Sequence, residues 1–119
     1  MSIKLFDSEL KVMNVLWRGG DRTAKEISDI LKAETGWNMN TTYTVIKKCI
    51  AKGAIERTEP NFHCRALISK QDAQDAETDE LIGKLYDGCA DKLFAALLSR
   101  KKLTAEQIER LRQIVGELE

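Results

Sequence analysis

After Gly53 the hydrophobic period of the chain changes, and that change limits what it can fold into. Up to Lys52, apolar residues recur at helical spacing. Beyond Gly53, "AIERTE" and "FHCRALIS" are short runs of β-branched, aromatic and apolar residues on either side of Pro60-Asn61. They read as a β-hairpin with its turn at that dipeptide. Before it, Asp7 or Ser8 can cap a helix carrying Leu10, Val12, Met13, Leu16 and Trp17, closed by Gly19-Gly20. Thr23 and Glu26 form a capping box, in which each side chain satisfies an amide left free at a helix start. That second helix buries Ile27, Ile30 and Leu31 and stops near Gly36. Asn40 is the expected cap of a third helix running to about Lys52, with Val45, Ile46, Cys49 and Ile50 on its inner face. Three helices and one hairpin in about 65 residues make the winged helix plan, in which the second and third helices form the DNA-reading pair.

The third helix carries a further sign. It opens "NMNTTYT", residues that are mediocre helix formers because short polar and β-branched side chains lose freedom or compete for the backbone. In a helix-turn-helix this end enters the major groove. Asn40, Thr41, Thr42 and Thr44 supply hydroxyls, methyls and an amide there. Hydroxyls exchange hydrogen bonds with base edges, Thr methyls pack on thymine methyls, and Asn40 either reads adenine or bonds a phosphate. Lys47, Lys48 and Lys52 follow along the helix flank, where they are expected to meet phosphates. Asn61, at the hairpin tip between strands carrying Arg57 and Arg65, is expected to approach the backbone or minor groove. The plainer account makes these hydroxyls helix caps and the lysines a solvated face.

From Ser69 onward the pattern is helical again. "KQDAQDAETDELIGKLYDG" has a weak apolar stripe, "CADKLFAALLSRKK" a stronger one, and "LTAEQIERLRQIVGELE" begins with a second box, Thr104 with Gln107. These helices are too polar and too few to build a core of their own. Leu81, Leu85, Leu93, Phe94, Leu97, Leu98, Ile108, Leu111, Val115 and Leu118 need a surface to pack on. A second copy of the chain, through a two-fold interface, is the simplest partner; docking on the winged helix of the same chain is the alternative. The predicted fold is therefore mostly α with a small β-hairpin: a winged helix-turn-helix DNA-binding domain over residues 1–69 and a C-terminal helical dimerisation region over residues 70–119.

Composition narrows the function. The chain has 119 residues, 43% hydrophobic and 32% charged, which suits a soluble globular protein. No apolar run approaches the ~18 residues of a membrane span, and "MSIKLFDSEL" lacks a signal-peptide apolar core. A cytoplasmic location without membrane insertion is expected. Net charge is zero. Residues 1–69 hold 11 Lys/Arg and 8 Asp/Glu, a balance of +3, and residues 70–119 hold 8 and 11, a balance of −3. The chain has one His, no Gly-rich phosphate loop and no HExxH, so neither enzymatic activity nor a cofactor is expected. The three cysteines, Cys49, Cys64 and Cys89, lie far apart with no CxxC, as reduced thiols do. Cys49 reads as core filler. His63 and Cys64 are neighbours on a strand and face opposite ways, which is unsuited to clamping one metal. Cys89 has only Lys92 nearby to stabilise a thiolate. A winged helix used purely as a protein-interaction module is the rival function, and salt dependence separates the two.

The sequence resembles the family of penicillinase and methicillin-resistance repressors, the BlaI/MecI type, with their copper-responsive CopY relatives. Glu9, Val12, Met13, Leu16 and Trp17 fit the first-helix pattern E-x-x-V-M-x-x-L-W. Trp37, Thr41 and Thr44 fit the approach to the recognition helix, and "KGAI" (Lys52 to Ile55) its exit. "YDG" (Tyr86 to Gly88) and "LTAEQIERLRQI" fit the C-terminal dimerisation region. The resemblance implies a homodimeric transcriptional repressor that binds dyad-symmetric, double-stranded promoter DNA. It also implies release by loss of the dimer, with a membrane-bound sensor protease as partner. The family's scissile Asn-Phe bond, counted from the Tyr-x-Gly element, falls at Ala96 and Leu97, so the residues at that bond differ here. The paired CxC motifs of the copper-responsive relatives are absent, which speaks against release by copper.

Overall fold

A computed structural model describes residues 3–118. The elements run α1 (Asp7–Gly19), β1 (Arg22–Thr23), α2 (Ala24–Thr35), α3 (Met39–Ala51), β2 (Ile55–Thr58), β3 (His63–Ala66), α4 (Lys70–Leu85), α5 (Ala90–Ser99) and α6 (Ala105–Leu118). Two compact units divide the chain, Met1–Glu77 and Thr78–Glu119, and the division falls within α4. Among the described residues, no helix is long and apolar enough to cross a membrane.

The first unit is a winged helix. Its core joins Val12, Met13, Val15 and Leu16 of α1 to Ala24, Ile27 and Leu31 of α2 and Val45, Ile46 and Cys49 of α3. Ile55 and Cys64 close it from the hairpin, and Ala73 of α4 adds a further contact. Each helix contributes residues three and four apart, so one stripe per helix leaves water. Trp17 is half-buried, and its indole N–H donates to the Ile68 carbonyl at 3.0 Å, tying α1 to the segment that follows the sheet.

The hairpin forms as the change of period predicts, with β2 and β3 antiparallel and Ile55 opposite Ala66, Arg57 opposite Cys64. The sheet nonetheless has three strands, in the order β1-β3-β2. The additional strand, β1, pairs Arg22 with Cys64 and Thr23 with His63. Its two residues, between a glycine pair and a capping box, are too few to show a period, so the sequence carries no sign of it. The Thr23–Glu26 box is present: Thr23 N–H donates to Glu26 Oε1 (2.9 Å) and Glu26 N–H to Thr23 Oγ1 (3.2 Å). The start of α1 differs from expectation. Neither Asp7 nor Ser8 caps it; the cap is Phe6, whose amide donates to Glu9 Oε1 at 2.7 Å.

The second unit contains the end of α4 together with α5 and α6. The Thr104–Gln107 box starts α6, with Thr104 N–H on Gln107 Oε1 (2.9 Å) and Gln107 N–H on Thr104 Oγ1 (3.1 Å). No described residue of α5 or α6 is buried. Phe94, Leu98, Ile114 and Val115 are each about half exposed, and Leu118 is 81% exposed. Phe94, Leu98, Ile108, Leu111 and Val115 share the lining of one open apolar groove between α5 and α6.

Candidate nucleic-acid interface

The turn between α2 and α3 sets the direction of the recognition helix. α2 ends at Gly36, whose backbone is left-handed (φ 79°, ψ 8°) and whose amide returns to the Lys32 carbonyl. Only glycine adopts this conformation at little cost. Asn38 then caps α3, its Oδ1 accepting from Thr41 N–H at 2.8 Å. Asn40, the expected cap, lies inside the first turn of the helix. Both asparagines suit a cap; the extended backbone at Asn38 (φ −79°, ψ 168°) selects the first.

Asn40, Thr41, Thr44, Lys47, Lys48 and Ala51 form the exposed face of α3. The Thr44 hydroxyl donates to the Asn40 carbonyl at 2.8 Å, which leaves its oxygen able to accept. Neither Lys47 nor Lys48 belongs to an ion pair among the described residues. Met39, at the first position of the helix, is 48% exposed. Sequence patterning missed it because an apolar residue at a helix start normally reads as core.

Two expected contacts are corrected. Thr42 is fully buried, so it cannot reach a base. It stands three, four and seven residues before Val45, Ile46 and Cys49, which places it in their stripe. Its hydroxyl has no hydrogen-bond partner among the described residues. Thr42→Val keeps the shape and removes an unpaired polar group. It is expected to leave DNA affinity unchanged and to raise stability by up to about 1 kcal/mol, as read from the urea midpoint.

Lys52 is the second. Its ammonium donates to Glu9 Oε1 at 2.6 Å and to the Lys4 carbonyl at 2.8 Å, and lies 4.2 Å over the Phe6 ring. Glu9 is 1% exposed. Burial opposes its ionisation. The Lys52 ammonium, the Phe6 amide and the charge of Lys48 outweigh that and leave the carboxyl below its ordinary value of 4.5. Lys52 is therefore a partner of a buried carboxylate and is not free to meet a phosphate.

The wing stands beside the recognition helix. Tyr43 of α3 meets Phe62 edge to face, ring centres 5.6 Å apart. The Phe62 carbonyl accepts the Ala24 amide at 2.9 Å, at the first turn of α2. Asn61 is exposed at the tip with φ 69°, followed by Phe62 at φ 52°. Arg57 Nε donates to Glu59 Oε1 at 2.8 Å, and its guanidinium stacks 3.6 Å above Phe62. Glu59 Oε2 accepts the Phe62 amide at 3.2 Å. That amide, then Arg57, hold the Glu59 carboxyl below its ordinary range. Arg65 is paired with Glu56 at 2.8 Å. Glu56 and Arg65 face each other across β2 and β3, a pairing of opposite charges that strand register suggests; Arg57 and Glu59 are joined instead across the start of the turn.

Among the described residues, no group of His, Cys, Asp and Glu side chains is placed to hold a metal ion. Cys64 is buried while His63 beside it is partly exposed. Burial pushes the Cys49 thiol up to about 12 and the Cys64 thiol up to about 11, so both stay protonated and unreactive.

The sequence matches the family described as Penicillinase repressor over residues 5–117. It is 26% identical over 115 residues to the methicillin resistance regulatory protein MecI of Staphylococcus aureus, covering 95% of this chain and 94% of that protein. It is 25% identical over 116 residues to the penicillinase repressor of Bacillus licheniformis, covering 96% and 91%. The solution structure of the DNA-binding domain of the repressor BlaI superposes with a TM-score of 0.55 at 26% identity, covering 60% of this chain and 93% of that domain.

Proposed function

The chain belongs to the penicillinase repressor family, and from that premise we propose that it represses transcription as a homodimer bound to dyad-symmetric promoter DNA. It is a transcriptional repressor of the penicillinase repressor type with a winged helix DNA-binding domain, and it is not an enzyme. The observation that carries the finer proposal is the exposed row on α3. Asn40, Thr41 and Thr44 offer hydrogen-bonding groups and methyls at its N-terminal end, and Lys47 and Lys48 follow with no ion-pair partner among the described residues. Such a face suits base edges first and phosphates beyond them. The Tyr43–Phe62 contact holds the wing against α3, which supports a role for the exposed Asn61 at its tip beside that row.

Dimerisation is assigned to the exposed apolar residues of the second unit, which a second copy would cover through a two-fold contact. Loss of that contact lowers DNA affinity without touching α3. A cut in α5, at Ala96 and Leu97 by analogy with the family's cleavage position, is one way to cause it. A membrane-bound sensor protease is the partner that the analogy suggests.

The reading is tested with two substitutions on operator and random duplexes. Thr44→Ala is expected to weaken operator binding by roughly 1–3 kcal/mol and to leave random DNA unaffected. Lys48→Ala is expected to weaken both alike and to reduce the salt slope by about 1. Unchanged affinity for both variants on both duplexes would remove α3 from the groove and leave a protein-interaction module.

A further inference from the structure

The wing tip has the geometry of a DNA-contacting hairpin but not the charge of one. Its two arginines are both occupied by carboxylates, Arg57 by Glu59 and Arg65 by Glu56. The four charges cancel. Exposed pairs of this kind contribute little to stability, and the Arg57 and Glu59 side chains are 43% and 60% exposed. The Arg57–Glu59 ion pair itself therefore adds little to the stability of the tip.

Glu59 is held at two points. One oxygen takes the Phe62 amide and the other takes Arg57. Phe62 is fixed in turn by the Tyr43 ring and by its carbonyl on the Ala24 amide. It keeps a left-handed backbone (φ 52°), which an aromatic residue adopts only where its surroundings impose it. The carboxylate is thus anchored to the backbone beside the recognition helix, where a duplex lying along α3 would bring its phosphates.

We propose that Glu59 is an intramolecular competitor for DNA phosphate: it holds Arg57 stacked on Phe62 and away from the backbone, and so lowers affinity for DNA of any sequence. This rests on the repressor reading above. A phosphate that draws Arg57 away must break its bond to Glu59. It then faces a carboxylate that the Phe62 amide keeps in place. The wing contributes shape and Asn61, while the electrostatic share of binding falls to the lysines of α3.

Glu59→Gln tests this, since glutamine keeps an oxygen for the Phe62 amide and removes the charge. Freeing one arginine for one phosphate steepens the slope of log affinity against log salt by about 0.9, which amounts to about fivefold tighter binding at ~0.15 M salt. The gain is expected on operator and random duplexes alike, and it is expected to vanish when Arg57→Gln is added. Lys48→Ala serves as the control on the premise. If Lys48→Ala weakens binding while Glu59→Gln changes neither affinity nor slope, the proposal is overturned and the repressor reading stands. A gain that persists undiminished with Arg57→Gln also overturns it, because the effect would then be bulk charge. If Lys48→Ala and Thr44→Ala both bind both duplexes as the unaltered chain does, the premise falls and the proposal with it.

Discussion

A Leu98→Asp chain is expected to be a folded monomer that has lost operator affinity by about 10²–10⁴-fold. Leu98 is 51% exposed within the chain, so a carboxylate there stays solvated and costs the monomer little. At the proposed two-fold seam the same carboxylate would be buried without a partner, which is costly. The loss in affinity follows from linkage. In the proposed dimer, two winged domains joined by the second unit would bind their half-sites with an effective concentration that one domain alone lacks. Sedimentation at micromolar concentration, far-ultraviolet circular dichroism and DNA titration check the three parts of the prediction. A monomeric variant that holds the full operator as tightly as the unaltered chain would contradict dimer-dependent binding. A dimeric variant would place the interface elsewhere.

Lys52→Ala is expected to destabilise the winged helix by about 2–4 kcal/mol. Removing one member of a buried ion pair costs about 3–5 kcal/mol because the remaining charge is stranded. The figure is lower here because Lys52 is 29% exposed and the Phe6 amide still serves Glu9. The shift appears in the urea midpoint at constant slope. The sign with pH follows from the carboxyl. In the unaltered chain Glu9 titrates below its ordinary value of 4.5, so its stabilisation is full above that value and drains as pH falls through the lower, folded one. Without Lys52, burial favours the neutral acid, and the variant gains relative stability on acidification. The gap between the two chains is therefore widest near neutral pH and closes below about 4.5. The salt slope of DNA binding is expected to stay unchanged, in contrast to Lys48→Ala. A flattened slope would return Lys52 to the DNA-contacting set.

These variants mark where the sequence is legible. Local signals are. The Thr23–Glu26 and Thr104–Gln107 boxes each join residues three positions apart, so their partners are fixed by the helix itself. The period change at Gly53 reveals the hairpin because side-chain alternation is a property of a single strand. What escapes depends on distant partners or on a choice between equivalents. Lys52 and Glu9 are 43 residues apart, and nothing near either one announces the other. Asn38 and Asn40 are equally good caps by type, and backbone geometry chooses between them. Thr42 is readable, since its spacing to Val45, Ile46 and Cys49 puts it in the core stripe. Its hydroxyl instead groups it with the threonines on the outer face. The Tyr43–Phe62–Arg57–Glu59 chain joins a helix to a hairpin tip, a contact that only the folded domain creates.

Selection of binding sites from a pool of random-sequence duplexes tests the central claim most directly, because it presupposes no operator sequence. A dimer of winged helices reading through α3 is expected to enrich an inverted repeat, with half-site centres separated by about 10–10.5 base pairs or a multiple of that. Repeating the selection with Thr44→Ala is expected to relax the preference at one position in each half-site. Recovery of a pool with no preferred sequence, or of a single half-site with no dyad, would contradict the account.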